Sequence, residues 1–202
     1  MKIVHVETVL SCGAYAASAH WARTRRSIHK AVRRCAWPPG SGRFTIHPQS
    51  GKKRGEGNGV VPIKNEFITE LRRRKWTIEG PAKNQIGQDL GAFDAVLPGP
   101  DGPIVVEWET GNISSSHRSM NKLTMLVSDG IVAAGTLVVP SRRLYAYLTD
   151  RIGNYQELEP YLKLWKCVPC RSGVLEVVVI EQDAESRDVP KIPKGSAGRA
   201  KG

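Results

Sequence analysis

Apolar residues recur along the chain with two periods, and these periods predict alternating strands and helices. Period-two alternation or short apolar runs predict strands at residues 1–10, 92–97, 104–109, 130–139 and 174–180. Spacings of three and four predict helices at residues 14–35, 63–76 and 114–128, with shorter helical segments at 144–148 and 155–165. Strands and helices in this order predict an α/β fold, with a central mixed β-sheet flanked by helices.

Two segments show neither period. Residues 38–60 are rich in Gly, Ser, Lys and Pro, which predicts a flexible basic loop. From Asp183 the chain ends in PKIPKGSAGRAKG, which predicts a disordered tail over residues 183–202. The remaining residues 1–182 are expected to form a single domain, as the length of 202 residues allows. The apolar run at residues 131–139 is too short to span a bilayer, and the N-terminus lacks a signal-peptide pattern, so we expect a cytoplasmic protein.

Charge is distributed unevenly and indicates a polyanionic partner. The formal net charge is +11, and residues 1–83 hold 17 of the 30 basic residues but only 5 of the 19 acidic ones. Basic clusters occur at residues 23–34, 52–54 and 72–75. Any one such cluster is typical of a solvated surface, whereas three in one half favour neutralisation of nucleic-acid phosphates.

The segment FDAVLPGPDGPIVVEWETGN carries the chain's clearest chemical signal, because carboxylates interrupt otherwise apolar strands. The Pro- and Gly-rich stretch at residues 98–103 predicts a hairpin turn. If Leu97 faces Ile104, then Asp94 faces Glu107, and Glu109 shares a strand face with Glu107. Three converging carboxylates suit a hard divalent cation and phosphodiester hydrolysis. The alternative is an exposed hairpin with a polar outer face.

The Asp94…Glu107-x-Glu109 pattern resembles the PD-(D/E)xK nuclease core. More narrowly, the chain resembles the BamHI/BglII/BstYI group of type II restriction endonucleases in MKIVHVETVL, VVPIKNEFITELRRRKW and IVVEWETGNISSSHRSMNKLTMLVSDGIVAAGTLVVPSRRL. The usual core ends in lysine, whereas this chain has Glu109 there, as in the BamHI arrangement. The resemblance implies a nuclease domain with one or two Mg²⁺ per active site. It assigns Asp94 and Glu107 as metal ligands and Glu109 as general base or metal-associated group, with Glu66 as a helix carboxylate and Glu70 as its rival.

The same resemblance implies where the protein reads DNA. Short polar residues that open a helix beside the catalytic strand, and a loop after the apolar strand, are the two candidate regions. The candidate DNA-binding residues are Asn112, Ser114, Ser115, Arg118, Ser141, Arg142 and Arg143. For the loop, a simple solvated turn is the alternative. Group members bind double-stranded DNA as homodimers at GATC-centred palindromes, leave 5′ overhangs and belong to restriction–modification systems, with no cofactor beyond the metal and no membrane partner.

Other interpretations remain open from the sequence. A structure-selective repair or junction nuclease of the same core, a non-catalytic DNA-binding protein and an RNA-associated basic protein also fit the charge. Cys167 and Cys170 form a C-x-x-C pair, but Cys12 and Cys35 are isolated, so free thiols are favoured over a structural zinc site.

Overall fold

A computed structural model of the chain describes residues 1–53, 55–149 and 152–194. Its strands are β1 (Lys2–Cys12), β2 (Thr45–Ile46), β3 (Thr77–Lys83), β4 (Asp89–Leu97), β5 (Ile104–Trp108), β6 (Ala134–Pro140), β7 (Gly173–Glu181) and β8 (Ala184–Glu185). Its helices are α1 (Gly13–Ala16), α2 (Ala19–Arg34), α3 (Val61–Arg73), α4 (Ile113–Ser128), α5 (Arg142–Tyr145), α6 (Tyr155–Leu158) and α7 (Leu162–Lys166). A 3₁₀ turn at Glu159–Tyr161 joins α6 to α7.

Six strands form one mixed sheet in the order β1-β7-β6-β5-β4-β3, which confirms the predicted fold class. The central pairs β5–β6 and β6–β7 are parallel, whereas β1–β7, β4–β5 and β3–β4 are antiparallel. Every residue of β6 is buried, as expected for a parallel strand covered on both faces. The short strands β2 and β8 pair separately.

Helices cover both faces of the sheet, and the alternation of side chains along β7 shows the two layers. Val174 and Val178 pack in the cluster that holds residues of α2 and α3. Leu175 and Val177 pack in the other cluster, with residues of α4, α6 and α7. In the part of the chain described, no helix is both long and apolar enough to cross a membrane.

Two of the longer predicted helices differ in the structure. The helix expected at residues 14–35 is interrupted before α2, where Ser18 caps the new helix by accepting a hydrogen bond from Trp21 N at 3.0 Å. The helix expected at residues 63–76 ends at Arg73, and the chain then enters β3, a strand that the sequence analysis missed. Gly80 and Pro81 within β3 obscure its strand pattern.

The two segments expected to be unstructured pack against the sheet and against each other. Phe44 and Ile46 are buried in the core, and so is Ile192 near the other end of the chain. The Asn58 side chain joins them, since its oxygen accepts a hydrogen bond from Ile192 N at 3.1 Å. The disorder expected from residue 183 is therefore not found over residues 183–194, because buried apolar anchors hold that stretch. Residues 195–202 of the expected tail lie outside the described residues.

Candidate active site

Strands β4 and β5 pair in the predicted register. The pairs Leu97–Ile104, Val96–Val105 and Ala95–Val106 are observed, and continuing this register places Asp94 level with Glu107. One Asp94 oxygen accepts a hydrogen bond from the backbone nitrogen of Trp108 at 2.8 Å. The hairpin therefore brings the two carboxylates to the same level of the sheet.

Asp94, Glu107 and Glu109 line one cavity of about 800 Å³ where β5 ends. Helices α3 and α4 close the cavity from the sides and contribute Lys64, Arg118, Ser119 and Lys122. Carboxylates and cations therefore face the same space, an arrangement suited to an anionic substrate bound through a cation.

Glu107 is a buried carboxylate with a buried partner. Its Oε1 forms an ion pair with Lys122 Nζ, and only 7% of its side-chain surface is exposed. Burial raises the pKa of Glu107, while the hydrogen bond from Lys122 opposes that rise. Asp94 and Glu109 act in the same direction as burial, because their negative charges disfavour a third one nearby.

Two lysines from helices hold two carboxylates of the site, and neither was among the site residues predicted from the sequence. Lys64 of α3 lies 2.6 Å from Asp94 Oδ1, and Lys122 of α4 contacts Glu107. Both lysines lie inside segments that carry the family resemblance, PIKNEF and MNKLTM, but their spacing alone does not connect them to the hairpin.

Glu109 is fixed at the end of β5 by its backbone and its side chain. Its nitrogen donates a hydrogen bond to Val138 O at 2.9 Å, which continues the contact with β6. Its Oε1 accepts a hydrogen bond from Ser119 Oγ of α4 at 2.7 Å. Glu109, the third carboxylate of the predicted pattern, therefore lines the cavity, and Ser119 already binds one of its two oxygens.

Glu66 is not brought to this cavity, contrary to its predicted role. Its Oε2 accepts a hydrogen bond from Ala36 N at 2.9 Å, and it lines a different cavity beside Trp37. Burial raises the pKa of Glu66. The rival candidate Glu70 pairs with Arg73 at 2.7 Å and also lines that second cavity.

Glu79 of β3 is the acidic residue level with Asp94 on the other side of β4. The pairs Ile78–Ala95 and Gly80–Phe93 flank it. Its φ is 55°, in the left-handed region that non-glycine residues rarely adopt. The strand thus departs from regular geometry beside the cavity.

The predicted recognition residues fall into two groups. Asn112 caps α4 by accepting a hydrogen bond from Ser115 N at 3.0 Å, Ser114 is exposed in the first turn, and Arg118 lines the cavity. These four residues form a polar rim at the start of α4.

The second group lies after β6, and its side chains have intramolecular partners. Ser141 is buried, caps α5 and donates a hydrogen bond to Glu181 at 2.9 Å. Arg143 pairs with Glu185 at 2.8 Å, and Arg142 lies over the Tyr145 ring. These contacts hold the loop in place beside a further cavity of about 490 Å³.

The donor atoms of the active-site cavity fit a hard divalent cation. Within the described residues, no group of three or more His, Cys, Asp or Glu side chains could hold a metal ion by itself. Asp94 and Glu107 are two carboxylates on one wall, and Mg²⁺ is commonly bound by one or two carboxylates together with water and substrate phosphate. Cys167 and Cys170 are free thiols and belong to no metal-binding group among the residues described.

The fold is of the restriction-endonuclease-like type. The crystal structure of BglII bound to a DNA 16-mer is similar with a TM-score of 0.61, at 13% identity, covering 91% of this chain and 79% of that chain. The structure of free BglII is similar with a TM-score of 0.52, at 11% identity, covering 91% of this chain and 81% of that one.

Sequence comparison then identifies the family. The family model described as restriction endonuclease BamHI matches residues 1–199. The type II restriction enzyme OkrAI of Oceanobacter kriegii is 38% identical over 200 residues, 99% of each chain. The type II restriction enzyme BamHI of Bacillus amyloliquefaciens is 36% identical over 172 residues, 82% of this chain and 76% of that protein. The chain belongs to the BamHI family of restriction endonucleases, and it is a site-specific deoxyribonuclease that binds double-stranded DNA and uses a divalent metal ion.

Proposed function

We propose that the required ion is magnesium, held by Asp94 and Glu107, and that Glu109 is the general base of phosphodiester hydrolysis. The observation that carries this proposal is the shared cavity of the three carboxylates, two of them level across the β4–β5 hairpin. When bound, magnesium supplies a Lewis acid that stabilises the leaving oxygen.

The chain's own residues then orient the substrate and move the proton. Ser119 holds Glu109 Oε1, so Oε2 is the oxygen that takes a proton from the attacking water. Lys64, at the side of the cavity, attracts the phosphate that is cleaved.

We also propose cleavage at a GATC-centred palindrome that leaves 5′ overhangs. The support is the resemblance of TGNISSSHRSMNK to the group that reads such sites, together with the polar rim that Asn112, Ser114, Ser115 and Arg118 form. Asn112 Oδ1 caps α4, so its amide nitrogen is the atom we expect to donate to a base edge. Arg118 has the planar donor fork that suits guanine.

A palindromic site calls for a homodimer, with one active site for each strand. The surface formed by α4, α7 and the 3₁₀ turn before α7 offers a self-complementary candidate, because large apolar side chains are exposed there: Met125, Tyr161 and Leu164. Leu164 is 60% exposed. We expect Leu164→Lys to shift the protein from dimer to monomer in sedimentation velocity and to lower double-strand cleavage. A wild-type monomer in the presence of DNA would contradict this assembly.

We expect the enzyme to act in the cytoplasm.

The decisive experiment is digestion of unmethylated phage-length DNA by the purified protein, with and without Mg²⁺. We expect discrete fragments with Mg²⁺ only, and sequencing of their ends gives the site and the overhang. Asp94→Ala should abolish cleavage. Asp101→Ala removes an exposed carboxylate from the turn at the other end of the same hairpin and serves as the matched control.

Three results would contradict parts of this proposal separately. Cleavage without a divalent ion would reject the metal assignment. Discrete fragments with ends outside a GATC-centred sequence would reject the specificity. Activity retained by Asp94→Ala would reject the assigned site.

A further inference from the structure

Lys122 is the most constrained cation of the cavity. Its Nζ pairs with Glu107 Oε1 and donates a hydrogen bond to Ala92 O at 2.8 Å. It also lies over the Phe93 ring, 4.6 Å from the centroid. Only 11% of its side-chain surface is exposed. Three kinds of contact therefore converge on one ammonium group, all from β4 and β5.

Lys64 differs from Lys122 in the same cavity. Its side chain is 38% exposed, and Asp94 is its ion-pair partner. A half-exposed lysine with a long flexible stem adapts to whatever enters the cavity. A buried lysine held by a carboxylate, a carbonyl and an aromatic ring keeps its place.

The strand that carries Glu107 cannot supply such a cation itself. The position two residues later is Glu109, whose Oε1 is held by Ser119. The ammonium beside Glu107 comes instead from α4, the helix that also carries Ser119. Helix α4 therefore contacts two carboxylates. Lys122 pairs with Glu107 in β5, and the Ser119 hydroxyl binds Glu109, which follows β5.

We propose that Lys122 is a positioning residue that aims Glu107 at the bound metal ion. With Oε1 held by Lys122, Oε2 is the oxygen presented to a cation in the cavity. The contacts with Ala92 O and the Phe93 ring fix Lys122 to β4, so the aim of Glu107 is set relative to Asp94 on the same strand. This role rests on the proposed function of the site.

Three possible roles of Lys122 predict different effects of its removal on metal and DNA binding. If Lys122 only competed with the metal for Glu107, its removal would tighten metal binding. If it only attracted DNA, its removal would weaken DNA binding and leave the metal affinity unchanged. If it aims Glu107, its removal weakens metal binding, since groups that orient a metal ligand typically contribute about 10–100-fold to affinity or activity.

The test is Lys122→Met, which keeps the length and apolar stem of lysine. Mn²⁺ affinity of the DNA-free full-length protein is measured by calorimetry, and kcat and KM are measured on a duplex containing the cleavage site. We expect the Mn²⁺ Kd to rise at least about tenfold and kcat to fall about 100-fold, with KM within about threefold of the wild type. Lys166→Met is the matched control, because it removes a lysine–glutamate pair (2.6 Å to Glu7) outside the cavity.

Each other outcome overturns the proposal. An unchanged or tighter Mn²⁺ Kd in Lys122→Met rejects the aiming role, whatever happens to kcat. A rise in KM alone rejects it in favour of DNA attraction. If Lys122→Met does not fold, Lys122→Gln, which keeps a donor for Ala92 O, is measured in the same way with the same expectations. A wild type that fails to cleave would reject the proposed function, while the Mn²⁺ comparison still decides the role of Lys122.

Discussion

Ser119 Oγ donates a hydrogen bond to Glu109 Oε1 at 2.7 Å, and this bond joins the second turn of α4 to the end of β5. Ser119 is buried, so water does not readily replace its hydroxyl. The geometry of the proposed general base therefore depends on a helix as well as on its own strand.

Replacing Ser119 should slow cleavage without unfolding the protein. Hydrogen bonds to charged groups contribute about 1.5–3 kcal/mol, so Ser119→Ala should lower kcat by roughly 10–100-fold. Single-turnover cleavage measures this. Ser128→Ala, on the same helix but bonded to Pro169 O, should cleave at the wild-type rate. Equal rates for both variants would remove Ser119 from the mechanism.

Two glutamates should respond oppositely when their charge is removed. Glu107→Gln should abolish cleavage, because a neutral amide is a poor ligand for Mg²⁺. Glu66→Gln should retain cleavage within about threefold, since its side-chain oxygen can still accept the bond from Ala36 N. Cleavage assays at saturating Mg²⁺ compare them. Loss of activity in a stably folded Glu66→Gln would restore a catalytic role for Glu66.

The exposed cations on the outer face of α2 should contribute to DNA affinity through salt-dependent contacts. Arg23, Arg26 and Lys30 are exposed and spaced along one side of that helix. Replacing all three with glutamine should make the plot of log affinity against log salt shallower, by about 0.9 for each phosphate that is no longer neutralised. Fluorescence titration with a nonspecific duplex at several salt concentrations gives the slope. An unchanged slope would mean that α2 faces away from DNA.

Glu7 should make stability depend on pH. The hydrogen bond from Lys166 is the largest cause that lowers the pKa of Glu7 below its ordinary 4.5. Folding therefore favours the ionised form, so this stabilisation is present above pH 4.5 and is lost as pH falls through the lowered value. Glu7→Gln should be less stable than the wild type at pH 7, by about 1 kcal/mol or less, and the difference should be smaller at pH 3. Urea unfolding of both proteins at both pH values measures this difference. An equal difference in the free energy of unfolding at the two pH values would contradict the role of Glu7.

The packed segment after β8 should contribute to stability. Ile192 is 1% exposed within the core, so Ile192→Ala should lower the free energy of unfolding by about 2–5 kcal/mol. Val189→Ala, at a partly exposed site in the same segment, should cost less. Thermal denaturation followed by circular dichroism compares the two. Equal, small effects would show that the segment adds little to the core.

The hairpin could be predicted because its turn residues and its strand patterns indicate the same structure. Turn residues at 98–103 and apolar strands on either side predict the hairpin, and the register assumed from Leu97 facing Ile104 is the one that the structure shows. Strand β3 was missed because Gly80 and Pro81 contradict strand propensity, and pairing with β4 overrides that local preference.

The acidic half of the site was predictable, whereas the basic half was not. Asp94 and Glu107 are close in sequence and joined by a turn, but Lys64 and Lys122 reach them only through packing of α3 and α4 on opposite sides of the sheet. Packing also decides which side of α3 faces the cavity. Ile63 and Phe67 define the buried stripe of α3, and Lys64 and Glu66 flank it on opposite sides.

Glu176 of β7 disfavours incorrectly paired forms of the sheet. It is 1% exposed, and it pairs with Arg25 of α2 at 2.7 Å, with His29 also nearby at 3.4 Å. Side chains alternate along a strand, so a slip of β7 by one residue would turn Glu176 towards the apolar layer of α4, among residues such as Leu123. A buried carboxylate without a cation is strongly unfavourable. Glu176 thus disfavours a β7 register shifted by one residue, since the correct register places its carboxylate beside Arg25 and the shifted one does not.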